Sequence, residues 1–214
     1  MNSPVHQLQF CETSRITRAV VVSQMLFSAG HSLTTGGFLY YFAYTFGPSA
    51  FFLAALQIAP ETSEAFSLVT RALLNRFRSR KQLWIRCLIL GRLAAVAIPC
   101  TLFIQKDKEL ALWVILISMV LWHLLHGIAY CSYISWLSQL IPSMNWGEFF
   151  ARRRMASLLI AIIVPTSAGL LRKAWLTKLP AQSQNWSYAI IFGVGSLLVI
   201  ASILPLLRTP DRPV

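Results

Sequence analysis

The stretch Leu110–Ile141, LALWVILISMVLWHLLHGIAYCSYISWLSQLI, runs for 32 residues without an aspartate, glutamate, lysine or arginine. A helix needs only ~20 apolar residues to cross the hydrocarbon core of a bilayer, so this stretch predicts a membrane-spanning helix. Working outward, Ala19–Phe46, Ala50–Leu74 and Leu83–Ile104 precede it, and Ala156–Leu171 and Tyr188–Leu207 follow it, with the same apolar character. The expectation is an all-α, polytopic membrane protein with six transmembrane helices. An amino-terminal segment, 1–18, precedes the six-helix bundle over 19–207, and a tail or linker occupies 208–214. Short connections such as Gly47-Pro48-Ser49 place consecutive helices side by side and antiparallel.

Composition agrees with a lipid environment. Hydrophobic residues make up 56% of the chain and charged ones 12%, with a mean hydropathy of +0.60, far from the balance of a soluble domain. The net charge of +12 does not point to nucleic acid, because it is sorted by loop. Thirteen of the nineteen Lys and Arg residues lie before the first stretch, around the second and fourth loops, and after the sixth stretch. That asymmetry sets orientation, so both termini are expected in the cytoplasm, and the membrane is expected to be the plasma (inner) membrane. The lipid bilayer is the first partner, with anionic headgroups as a second contact. Four cysteines show no C-x-x-C pair, no cleavable signal peptide is evident, and Asn185-Trp186-Ser187 is a lone glycosylation sequon on the expected outer side.

Ionisable residues at membrane depth are the functional candidates, since each is costly there. Glu61 follows Pro60, and Glu64 lies one turn on. Arg92 falls at the depth of Glu64 in the antiparallel third stretch, so an ion pair between them is the simplest expectation. Glu61 has no such partner, and proton loading through Glu61 with His31, His123 or His126 is the sharper one. Gly36-Gly37 and Pro60 suit either ordinary close packing of membrane helices or weakened helices that line a cavity. A metal site from His123, His126 and Glu61 is a loose pattern, and neither a metal nor a cofactor is expected. No G-x-S-x-G, H-E-x-x-H or Gly-rich phosphate loop occurs, so an enzyme is not expected.

Two loops carry a further signal. Asn75-Arg76-Phe77-Arg78-Ser79-Arg80-Lys81 resembles the loop between the second and third helices of the major facilitator superfamily of secondary transporters, roughly G-x-x-x-D-R-x-G-R-K. Arg76 matches the motif arginine, and Arg80 and Lys81 match the closing basic pair. Asn75 replaces the aspartate, while Arg71 and Arg78 stand at the glycines. Pro142 to Arg154 is similar to that family's loop between the fourth and fifth helices, with Gly147, Phe149, Phe150, Arg152, Arg153 and Arg154 in place and Trp146 for an arginine. The resemblance covers the amino-terminal half of a twelve-helix fold. It implies transport of a small solute once a second six-helix half is present, either in a homodimer or from another chain. The competing expectation is a non-transporting remnant or helper subunit.

Overall fold

A computed structural model describes residues 4–65, 70, 72–73, 76–77, 79–104, 106–140, 146–178, 180 and 184–209. Arg71, Asn75, Arg78, Pro142 to Asn145, and the tail from Pro210 lie outside the described residues. The described chain is helical, with no strand among the described residues. The helices are α1 (Pro4–Thr34), α2 (Gly37–Tyr44), α3 (Ala50–Ile58), α4 (Thr62–Ala65), α5 (Arg80–Cys100), α6 (Lys108–Leu137), α7 (Trp146–Leu176), α8 (Trp186–Ala201) and α9 (Leu204–Leu207). Side-chain oxygens of Ser49, Ser79 and Asp107 open α3, α5 and α6 by accepting from the N–H groups of Phe52, Gln82 and Leu110 at 3.2, 3.1 and 3.0 Å.

Four helical segments are long and apolar enough to cross a membrane: Arg80–Ile104, Lys108–Leu137, Trp146–Leu176 and Trp186–Leu207, of 25, 30, 31 and 22 residues. Even the shortest spans about 33 Å at ~1.5 Å per residue, against a hydrocarbon core of ~30 Å. The first two apolar stretches differ, because each is interrupted. The helix α1 starts well before Ala19 and stops at Thr34, and Gly36 then takes a positive φ of 65° before α2 begins. At this break the hydroxyls of Thr34 and Thr35 both donate to the His31 carbonyl, at 3.2 and 2.7 Å. In the second stretch a 3₁₀ turn at Ala59–Glu61 separates α3 from α4, with Pro60, which has no N–H to give, inside it. The fifth segment is longer than expected. Arg152, Arg153 and Arg154 belong to α7 rather than to a loop, since arginine is a good helix former and Glu148 pairs with Arg152 one turn away.

Packing runs in a chain of neighbours. The helix α1 lies against α7, α8 and α9; α8 meets α5; α5 pairs with α6; and α3 and α4 cover α6. At the α1–α8 crossing two glycines meet. A Cβ on Gly30 would stand 2.3 Å from the Gly195 carbonyl oxygen, and one on Gly195 would stand 2.6 Å from a Thr34 methyl. Small residues at such points let helix backbones touch. Aromatic clusters close the two ends of the bundle: Trp84, Tyr133 and Trp136 at the end that bears Arg80 and Lys81, and Phe42, Tyr188 and Phe192 at the other. Between them lies a polar centre.

Candidate functional site

The site is written in helical spacing. Phe27, His31 and Thr34 share a face of α1, and Trp122, His123 and His126 share a face of α6, because residues three and four apart are neighbours on a helix. The two faces meet through their rings. Phe27, His31 and His126 form a triangle of nearly parallel planes with centroids 5.2 to 6.0 Å apart. Trp122 stacks on His126 at 5.2 Å, and both His31 and His123 lie 6.3 Å from it.

Arg92 reaches this cluster from α5. Its guanidinium carbon sits 3.7 Å above the Trp122 ring, a cation–π contact. Its Nη1 donates to the Thr34 hydroxyl at 2.7 Å, and that hydroxyl donates onward to the Gly30 carbonyl at 3.0 Å. Arg92 and Trp122 are each 1% exposed and His123 is 5% exposed. Several polar atoms here are buried and without a hydrogen-bond partner: Arg92 Nε and Nη2, Trp122 Nε1, His123 Nε2, His31 Nδ1 and His126 Nδ1. Each such atom costs on the order of 1–3 kcal/mol, and more for a charged group. These unpartnered atoms gather in one place, around Arg92, Trp122 and the three histidines.

His126 also lines a cavity of about 40 Å³, beside Gln24, Tyr130, Tyr133 and Arg153. That is room for a few water molecules, each needing roughly 10–15 Å³ of such space. Arg153 is fixed on the cavity wall. Its Nε and Nη2 both donate to Gln24 Oε1, at 2.9 and 2.7 Å, and its guanidinium lies 5.3 Å from the Tyr133 ring. One turn deeper, the hydroxyls of Ser28 and Ser157 share a hydrogen bond of 2.7 Å. Residues i and i+4 of α1 thus meet residues i and i+4 of α7. Separately, Gly37 borders an open cleft of about 730 Å³ between α2 and α3, lined by Tyr40, Tyr41 and Tyr44.

The structure brings together Arg92, His31, His123 and His126, and it leaves Glu61 and Glu64 on exposed positions. Arg92 pairs with Thr34 and Trp122 instead of Glu64; the one ion pair among the described residues is Glu148 with Arg152, both exposed. The 3₁₀ turn accounts for part of this. Three residues at ~120° per residue in place of ~100° rotate the helix beyond them by about 60°. No cluster of three or more His, Cys, Asp or Glu side chains placed for a metal occurs among the described residues.

Among the loop-motif positions, Arg76 and Gly147 are exposed and Asn75 lies outside the described residues. Arg80 donates to the Ser135 carbonyl at 3.2 Å, and Lys81 Nζ to the carbonyls of Leu207 and Thr209 at 2.9 and 2.6 Å. Sequence reasoning overlooked Thr34, Trp122 and Gln24. The i, i+3, i+7, i+10 spacing of Gln24, Phe27, His31 and Thr34 was the available signal. No protein-family model, no curated protein and no solved structure matches this chain.

Proposed function

We propose that the protein is a secondary-transporter-like carrier of a small solute, a six-helix unit resembling the amino-terminal half of a major facilitator transporter. It crosses the plasma membrane six times with both termini in the cytoplasm, so the basic end and its cavity face inward. The observation that carries this reading is Arg92: a guanidinium at the middle of an apolar bundle, 1% exposed, with two N–H-bearing nitrogens unpartnered. Intramembrane cations of this kind belong to solute and ion paths. The interruptions at Gly36 and Pro60 add support, because transporters place broken helices near their binding centres. Solute contact falls to Arg92, Trp122, His31, His123 and His126, and Glu61 keeps a role in proton coupling only.

A second unit completes the carrier, as a homodimer or with another six-helix half. The helix α7 favours this. Phe149 is its one buried residue among those described, while Met155, Leu159, Ile162 and Leu170 are all exposed. The same face suits a helper subunit that docks on a larger transporter, which is the second reading. Proteoliposome uptake of labelled organic anions, cations and sugars separates them. The carrier takes up at least one class, Arg92→Met abolishes that uptake, and Glu61→Gln removes only its proton-driven part. No uptake of any class by the wild type sinks the carrier reading, and unchanged uptake by Arg92→Met removes Arg92 from the solute path.

A further inference from the structure

We infer that the centre of the bundle is a binding site for a small oxyanion, a carboxylate or phosphate group, with Arg92 as its charge partner and Trp122 as a neutral donor beside it. The chemistry of the unpartnered atoms selects the ligand. Arg92 Nε, Arg92 Nη2 and Trp122 Nε1 can donate hydrogen bonds and cannot accept them. Whatever completes them carries acceptor oxygens. His123 Nε2 stands among them and, as the protonated nitrogen of a neutral ring, becomes a fourth donor.

Shape narrows the class further. A guanidinium offers parallel N–H groups along the edge formed by Nε and one terminal nitrogen, and that edge binds the two oxygens of a carboxylate or phosphate side by side. In Arg92 the Nη1 side is taken by Thr34, and the buried Nε–Nη2 edge is the one left without a partner. Charge agrees with shape. Among the described side chains no carboxylate pairs with Arg92: Glu148 is engaged by Arg152, Glu61 and Glu64 are exposed, and Asp107 caps the start of α6. A cation that is 1% exposed and lacks a counter-ion within the described protein is completed by an anion from outside.

The nearest cavity adjoins this centre through one residue. His126 stacks on Trp122 and also lines the 40 Å³ cavity, whose wall includes the Arg153 guanidinium as a second positive charge. The inference rests on the carrier reading for its purpose, while binding itself is measurable without transport.

The test is thermal unfolding of the purified full chain in detergent with added sodium acetate, disodium succinate or inorganic phosphate, against sodium chloride at equal ionic strength. At least one of the three oxyanions should raise the melting temperature saturably above the chloride baseline. Arg92→Met should abolish that shift, and Arg92→Lys, which keeps the charge but loses the planar edge, should weaken binding about tenfold or more. Trp122→Phe, a gentler change, should weaken it severalfold, so the test survives a poorly folded arginine variant. Equal responses in wild type and Arg92→Lys, or no response to any of the three, would overturn the inference. Oxyanion binding without uptake in proteoliposomes leaves this site standing and removes the carrier reading. Arginine-dependent uptake of a cation or sugar does the reverse.

Discussion

Lys81 and Arg92 are buried cations on the same helix, eleven residues apart, which is close to three turns and so nearly the same face of α5. Their surroundings are opposites. Lys81 donates to two carbonyls at the end of the last helices and lies 5.5 Å from the Trp136 ring. It satisfies backbone oxygens that a helix end would otherwise leave unpaired, and it ties α5 to α9. Arg92 has one hydroxyl, one indole face and an unpartnered Nε–Nη2 edge. One cation completes the protein, and the other is completed by something the protein binds. Burial alone does not separate these roles, but the count of satisfied donors does.

Four substitutions test that contrast, beginning with the largest effect. Gly195→Leu drives a side chain into Thr34 and the Gly30 carbonyl, and thereby disturbs the helix crossing that holds Arg92's hydroxyl partner. It should cost about 3 kcal/mol or more, read as loss of folded protein in a detergent unfolding titration. Lys81→Met leaves the Leu207 and Thr209 carbonyls short of a donor and should destabilise by about 2 kcal/mol in the same titration. Arg92→Met, measured beside it, should leave stability unchanged or raise it by about 1 kcal/mol, since a buried ion replaced by an apolar side chain of similar volume is commonly neutral or stabilising. If Arg92→Met falls as far as Lys81→Met, Arg92 is structural and the contrast is broken. Glu148→Gln, which breaks an exposed pair, should move stability by no more than ~0.5 kcal/mol and serves as the baseline.

Sequence made the candidate spans legible and left the geometry obscure. Apolar length marks α5, α6, α7 and α8 as candidate spans, because that property depends on composition alone. The interruptions at Gly36 and Pro60 were also readable, since each residue is unsuited to a helix interior. Arg92 stood out as costly, and its depth was recoverable by counting. Its partner was not, because depth fixes a level along the helix and says nothing about which way neighbouring helices face. Glu64 matched the level; Thr34 and Trp122 occupy the direction. Lys81 was indistinguishable from an orientation signal until the carbonyls it caps were in view, since its partners lie 126 and 128 residues away.

The paired contacts of α1 with α7 bear on how the chain assembles. Gln24 meets Arg153 and Ser28 meets Ser157, each across 129 residues, so the two helices run in the same direction with one fixed offset. Helices in a bilayer gain little from apolar contact with one another, since lipid is as apolar as they are, and polar pairs must choose among alternatives. A slide of one turn toward the amino terminus of α1 sets the Arg153 guanidinium against buried Val20. These two bonds therefore act as a registration key, and they join segments separated by most of the chain. Docking of α7 in this register sets Arg153 beside Gln24, so one wall of the cavity depends on the same key.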